Sequence, residues 1–328
     1  MEDEELARLT ERVRGLNEAP ADLLEAVERT THRRTQDLLR ERLPDVARGA
    51  VETEPAQEAT RARLDVRERI IRDANFLPVS FLERGVAVSR AVARVALRRT
   101  HAGLPAGNGW GTGSLVSESL FLTNHHVIRS ASEATRLFRA EFNYQLDLEG
   151  LPVPPDAFLF DPEDVFITHP ALDFTLLRVR PKQRSAPSSD RSPGTLGRPM
   201  APGELYGFLR LGADLDPDTG TRVPLRDERV NVVQHPRGRF KEVTLQSNQV
   251  TDVFSNVVQY TSDTEPGSSG SPVFDNDWEL IALHHAAGTA DAEQPGRWLD
   301  NQGIRVDAIV KHLRQHASEE VLTELGLA

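Results

Sequence analysis

Asp263-Thr264-Glu265-Pro266-Gly267-Ser268-Ser269-Gly270-Ser271-Pro272-Val273-Phe274, running on through Asp275-Asn276-Asp277-Trp278-Glu279-Leu280-Ile281-Ala282-Leu283-His284-His285, is the stretch that decides how this chain is read. Gly267 and Gly270 bracket two serines closely enough for the backbone to turn sharply, and Pro272-Val273-Phe274 leads from the turn into an apolar strand. Such a turn can hold Ser269 Oγ outward while the N–H groups of Gly267 and Ser269 converge on one point, the place where an oxyanion forms in acyl transfer. A plain Ser/Gly turn between two strands has the same composition, so the reading depends on partners elsewhere in the chain.

Two partners lie upstream. His126 ends the run Leu120-Phe121-Leu122-Thr123-Asn124-His125-His126-Val127, and Asp173 opens the run Asp173-Phe174-Thr175-Leu176-Leu177-Arg178-Val179. A serine hydroxyl is a weak nucleophile until a base takes its proton, and an imidazole base needs a buried carboxylate on its far nitrogen to fix its tautomer. Each piece is weak alone, but the order His126, Asp173, Ser269, with gaps of 47 and 96 residues, is informative in a strand-rich background.

That background begins near Ala91, where the apolar period changes from helical to strand-like. Val92, Val95 and Leu97 are followed by a glycine cluster from Gly103 to Gly113 and a hairpin over Ser114–Val116 and Leu120–Thr123. A loop-rich segment is expected from Ala131 to Pro155. The Pro/Ser/Gly-rich stretch from Pro181 to Pro202 divides the strands into two groups. Strands are expected at Val230–Val233, Glu242–Leu245, Val257–Tyr260, Val273–Phe274 and Leu280–Leu283, with a closing helix over Val306–His316. Many short strands separated by turns, without helical crossovers, predict an all-β pair of barrels, N-terminal over 91–195 and C-terminal over 196–317. A short helical tail over 318–328 opens on Ser318 as N-cap.

Ahead of the barrels, residues 1–74 are strand-poor. Leu6, Leu9, Val13 and Leu16, then Leu23, Leu24 and Val27, then Leu38, Leu39 and Leu43 repeat at helical spacing, and Val66, Ile70 and Ile71 do so again. They predict a small helical adaptor or regulatory region with no catalytic candidates, a place for a protein partner. Residues 75–90 carry enough apolar side chains to form a linker that docks on its neighbour. Asp214, Asp216, Asp218 and Gly220 imitate a calcium loop, but the glycine comes one residue late and no closing glutamate follows, so an acidic turn is expected.

Composition removes other classes. The 328 residues carry a formal charge of −11 and no basic block with interleaved aromatics, which argues against nucleic acid. No run approaches the roughly 18 apolar residues of a membrane span. The chain has no cysteine, hence no disulfide, thiolate metal site or cysteine nucleophile. With an acidic N-terminus unlike a signal peptide, this predicts a cytoplasmic protein with no membrane partner, no metal and no cofactor.

Residues 90–316 resemble chymotrypsin-fold (trypsin-like) serine peptidases. Leu122–Val127 resembles the histidine motif, Leu172–Leu177 the aspartate motif and Gly267–Pro272 the serine motif. The resemblance implies His126 as base, His125 as its structural neighbour, Asp173 as orienting carboxylate, Ser269 as nucleophile, and the N–H groups of Gly267 and Ser269 as oxyanion donors. Gly270-Ser271-Pro272-Val273-Phe274 with Ile281–His284 resembles the bacterial glutamyl-endopeptidase branch, and the helical region ahead of the barrels resembles bacterial conflict-system (defence) effectors.

In the glutamyl branch, residues matching His284 and Thr264 bind a substrate carboxylate. Asp263 falls where arginine- and lysine-preferring relatives keep a carboxylate at the pocket floor, so acidic, basic and apolar P1 side chains all stay open. The family's digestive members carry an aspartate where this chain has Ser268, so no activating cleavage is expected. Protein or peptide would be the substrate. Two other functions compete: a catalytically silent peptide-binding scaffold, and a quality-control protease, which would be expected to carry a further domain after the barrels.

Overall fold

The computed structural model describes residues 77–185, 196–212, 224–246, 248–289 and 299–328. The chain divides into two units, Met1–Phe76 and Leu77–Ala328. The adaptor expected over 1–74 and the acidic turn around Asp214–Gly220 lie outside the described residues.

The first half is a seven-stranded antiparallel sheet built from β1 (Val92–Leu97), β2 (Gly109–Leu115), β3 (Leu120–Thr123), β4 (Phe138–Phe142), β5 (Asp156–Phe158), β6 (Phe166–His169) and β7 (Phe174–Arg178) in the order β5-β4-β1-β2-β3-β7-β6. All six residues of β1 are buried, which explains its almost continuous apolar run. Its one charged residue, Arg94, is neutralised by Glu141 across the β1–β4 pair and donates to Gly238 O at 2.7 Å. Phe121, Phe142, Phe158 and Phe160 fill the centre, with ring centroids 5.5–6.5 Å apart. Each such side chain stabilises the fold by about 1.5–3 kcal/mol on burial.

A two-stranded ribbon, β8 (Lys182–Ser185) with β9 (Leu196–Met200), and the short helix Pro202–Tyr206 lead to the second half. There β10 (Asn231–Gln234), β11 (Glu242–Thr244), β12 (Val250–Val253), β13 (Val257–Tyr260), β14 (Pro272–Phe274), β15 (Leu280–Ala287) and β16 (Asn301–Arg305) form a second seven-stranded sheet, order β11-β10-β14-β15-β16-β13-β12. Val232, Val250, Val258, Tyr260, Val273 and Ile281 make its own core cluster. Two curled antiparallel sheets in sequence are the all-β plan that the turn spacing predicts.

Within 131–155 the structure corrects the loop reading. Ala131–Leu137 is a helix, and Phe138–Phe142 is β4, paired with β1 in register Val95↔Ala140. Both signals stand in the sequence. Ser130 Oγ accepts from Glu133 N and Glu133 Oε2 from Arg129 N, a serine cap with an acid three residues on. Phe138, Ala140 and Phe142 alternate at strand period and are buried.

The docking linker contains a helix, Ser80–Ser89. Phe81 packs on Trp278 with centroids 5.0 Å apart, and Trp278 Nε1 donates to Phe81 O at 2.7 Å. The closing helix spans Val306–His316, burying Val306, Ile309, Val310 and Leu313 on one face. The tail helix Glu319–Leu325 is capped by Ser318, and its Glu324 accepts from Ser117, Ser119 and Arg178 of the first half.

The β3–β7 register positions the site. Antiparallel pairing Thr123↔Thr175 brings the residues that follow β3 against the residue that precedes β7. His126 and Asp173 therefore meet, 47 residues apart in the chain.

Candidate active site

Asp173 stands at φ +41°, a left-handed conformation that only a short polar side chain adopts readily. Asn124 Nδ2 locks it there by donating to Asp173 O at 2.8 Å. Its carboxylate then receives three N–H groups. His126 N donates to Oδ1 at 2.9 Å, His126 Nδ1 faces Oδ2 at 2.7 Å, and His285 Nδ1 faces the same Oδ2 at 2.7 Å. Burial pushes this carboxyl's pKa up, but the bonds from His126 and His285 outweigh it and hold the group well below the usual carboxylate range. Asp173 is thus a fixed anion, and each imidazole facing it must carry its proton on Nδ1.

His125, the other half of the histidine pair, turns away. Its Nδ1 lies 2.8 Å from Thr168 Oγ1 on β6, which also faces Thr175 Oγ1 at 2.6 Å.

Ser269 is held by the first sheet. Thr112 of β2 donates its N–H to Ser269 O at 2.9 Å and its hydroxyl to Gly267 O at 2.9 Å, so one residue of one half fixes the glycine turn of the other. Both glycines are required. At Gly270, φ +85°, a Cβ would lie 2.1 Å from Thr112 O; at Gly267, φ +100°, it would lie 2.8 Å from Gly238 N. Pro266 O accepts from Arg237 N and Ser268 O from Ser271 N. Because trans peptides are planar, the N–H groups of Gly267 and Ser269 turn the opposite way. Neither has an acceptor among the described residues. Ser268, by contrast, is buried, and its hydroxyl accepts from Glu265 N at 3.2 Å.

His126, Gly267 and Ser269 line one cleft of about 410 Å³ together with Gly109, Trp110 and Val127. Ser269 Oγ makes no hydrogen bond to His126 among the described residues, as is common where such a contact tightens only around a bound reactant. The arrangement places a hydroxyl, an imidazole whose Nδ1 faces a carboxylate, and two N–H groups without acceptors among the described residues at one cleft.

A second cavity of about 600 Å³ adjoins Ser269, and Asp263, Thr264 and His284 all line it. His284 is buried, with Nδ1 2.8 Å from Tyr260 OH, and desolvation lowers its pKa to about 3, so it is uncharged. Thr264 Oγ1 donates to Asn301 Oδ1 at 3.0 Å. Asp263 is exposed, and its backbone carbonyl accepts from Gln234 Nε2. Asp300 and Glu265 add carboxylates to the lining, Glu265 being ion-paired with Arg237 at 2.8 Å and Arg239 at 2.7 Å.

Sequence reasoning does not single out His285. The signal for it is two adjacent histidines in a strand whose alternation places one inward and the other toward the site. The ligand atoms of His126, Asp173 and His285 lie within 4.8 Å of one another. The 2.7 Å N–O separations are hydrogen-bond distances, however, too short to admit an ion whose bonds to N and O are each about 2 Å at tetrahedral angles.

No described helix is long and apolar enough to cross a membrane. The family model for the trypsin-like peptidase domain matches residues 111–283, over half of the chain. The uncharacterized protein y4fB of Sinorhizobium fredii is 31% identical over 291 residues, covering 76% of this chain and 40% of that one. The secreted RxLR effector protein 73 of Plasmopara viticola is 28% identical over 218 residues, 61% of this chain and 46% of that one. The chain thus spans less than half the length of these curated relatives. A crystal structure of the serine endoprotease from Yersinia pestis is similar at a TM-score of 0.45 and 15% identity, over 73% of this chain and 67% of that one. With its two antiparallel sheets meeting at the Ser269 turn and a family match running from β2 to β15, the chain belongs to the trypsin-like peptidase domain family.

Proposed function

We propose that the chain is a cytoplasmic serine endopeptidase working through a Ser269–His126–Asp173 triad and an acyl-enzyme. The observation that carries this is the 2.7 Å contact between His126 Nδ1 and the Asp173 carboxylate, at the cleft that Ser269 also lines. With Nδ1–H held by Asp173, His126 Nε2 takes the proton from Ser269 Oγ as the oxygen attacks the scissile carbonyl. The carbonyl oxygen, now negative, is received by the N–H groups of Gly267 and Ser269. His126 then passes its proton to the leaving amine, and water repeats the sequence to release the acyl group.

No cleavage ahead of the barrels is needed in this reading, because Ser268 already satisfies Glu265 N and the two oxyanion donors already lack acceptors. Control falls instead to residues 1–74, as an adaptor for a protein partner. The cytoplasmic assignment rests on the absence of cysteine from the sequence.

For the P1 side chain, the lining favours a basic group. An uncharged His284 offers no cation to an acidic side chain, whereas Asp263 and Asp300 give the cavity negative charge, Glu265 being paired with Arg237 and Arg239. Cleavage of a peptide library with dominant acidic P1 would reject this and restore the glutamyl-endopeptidase likeness.

The test of the triad is Ser269→Ala, which should abolish both peptide hydrolysis and labelling by a fluorophosphonate; hydrolysis retained in this variant rejects the mechanism. A silent peptide-binding scaffold, favoured by the open Ser269–His126 contact, predicts instead that the native protein is not labelled at all.

A further inference from the structure

We infer that Arg94, buried in β1 and outside the lining of both cavities beside Ser269, is the positioning residue that holds the oxyanion turn in its working conformation. The inference rests on the acyl-enzyme reading above, in which the N–H of Gly267 receives the developing charge. Two links join the guanidinium to that N–H.

The first link is a 3₁₀ turn, Pro236–Gly238, beneath the glycine turn. Arg237 stands in it at φ +52°, a left-handed conformation that a long side chain keeps only where its surroundings enforce it. There Arg237 N donates to Pro266 O at 2.6 Å. With its carbonyl tied to Arg237, the planar 266–267 peptide must turn the N–H of Gly267 the other way. Gly267 has no Cβ and does not itself resist rotation of that plane. The bond from Arg237 is therefore what keeps the donor aimed, and it is only as firm as the 3₁₀ turn.

The second link is Arg94, which ties that turn to the first sheet. Its Nη1 donates to Gly238 O at 2.7 Å and its Nη2 to Gly107 O at 3.0 Å, while Nε and Nη2 both meet Glu141 Oε2. The guanidinium carbon lies 3.4 Å from the centroid of the Tyr144 ring, and Arg139 Nε holds the other oxygen of Glu141 at 2.8 Å. Glu141, Tyr144 and Gly107 fix the plane of the fork, so the Nη1 arm has one direction left. Tyr144 also grips the far end of the same loop, accepting from Lys241 N at 2.8 Å and stacking on Phe240. Gly238 sits backbone to backbone on Gly109 of β2, where a Cβ on Gly238 would lie 2.7 Å from Gly109 Cα. A buried ion pair adds little net stability over packed apolar side chains, which leaves its rigid geometry as the contribution.

The experiment separates the two constants of fluorophosphonate labelling in the full chain, the maximal rate (kinact) and the affinity before reaction (KI), with Tm measured alongside. Arg94→Met combined with Glu141→Leu removes the fork without leaving a buried charge unpaired. Its kinact should fall about tenfold or more, short of the roughly 10²–10³ that a whole oxyanion donor is worth. KI should be unchanged, because the donor acts on the transition state. Arg139→Gln takes away the other partner of Glu141 but no bond to the 3₁₀ turn, and should label at the native kinact.

A merely structural role would lower Tm and leave kinact unmoved, or would slow both variants alike; either result overturns the inference while leaving the triad standing. Should the double variant fail to fold, Arg94→Lys carries the test, since it keeps a charge beside Glu141 without a rigid arm to Gly238 O. A reduced kinact at native Tm supports the inference, and a native kinact overturns it. Absence of labelling in the native protein overturns the acyl-enzyme reading and the inference with it.

Discussion

Asp173→Asn is the perturbation that tests the site most severely, because it changes one atom and almost no volume. The carboxylate accepts three N–H groups, from His126 N, His126 Nδ1 and His285 Nδ1. An amide has one acceptor and one donor end, so neither orientation of Asn serves all three. With the amide oxygen toward the imidazoles, its NH2 opposes His126 N, a donor 2.9 Å from the present Oδ1. With the NH2 toward the imidazoles, both rings must turn their lone pairs inward, and His126 then presents Nε2–H to Ser269 and can no longer act as base. Three bonds to a charged acceptor at about 1.5–3 kcal/mol each give about 4–9 kcal/mol in total. The tautomer change alone costs about 10⁴ in rate, or about 5.4 kcal/mol of barrier, inside that range. Fluorophosphonate labelling at neutral pH should therefore fall about 10⁴-fold, with the near-ultraviolet circular dichroism of the native protein retained. A folded variant that labels within tenfold of native would show that Asp173 does not set the tautomer of the base, and the proposed mechanism would be wrong.

The same variant reports on stability. A carboxyl whose folded pKa lies below its unfolded value of 3.8 stabilises the fold above that value and loses the contribution as pH falls through the folded pKa. The Tm gap between native and Asp173→Asn should be widest above about pH 4 and should narrow on acidification in calorimetry; a gap that grows in acid contradicts the bonding described. His126→Ala should remove labelling altogether, whereas His125→Gln, which loses only a contact to Thr168, should retain it within about tenfold, since one neutral hydrogen bond is worth about 1 kcal/mol. The reverse ranking would move the base to His125. Gly270→Ala forces a Cβ to 2.1 Å from Thr112 O at φ +85° and should destabilise by about 3 kcal/mol or more, lowering Tm by about 6 °C or more. An unchanged Tm would mean that the turn relaxes freely.

What was legible in the sequence follows the physics of each element. β7, β13 and the closing helix could be read directly, since Phe174–Arg178, Val257–Tyr260 and Val306–His316 each bury a face whose period is written in their own residues. β16 could not. Asn301-Gln302-Gly303-Ile304-Arg305 has one large apolar residue, and it is a strand because β13 and β15 pair with it on both sides.

The site divides in the same way. Gly267, Ser269, His126 and Asp173 are marked by local chemistry, a turn only glycine can make and polar residues at strand ends. His285 is marked locally only by its place beside His284, and the bulge that aims it is a property of a strand and its partner together. In a chain where Leu280–Ala287 kept strict alternation, Leu283 and His285 would share one face and His284 the other. Alternation already parts the two histidines; the extra residue at His285 shifts the ladder with β16 there, with His284 buried beside Tyr260 and His285 at the carboxylate. Deleting Ala286 to restore the pairing register should therefore draw His285 away from Asp173 and slow fluorophosphonate labelling, with the near-ultraviolet circular dichroism of the native protein retained; labelling at the native rate would show that the bulge does not position the carboxylate.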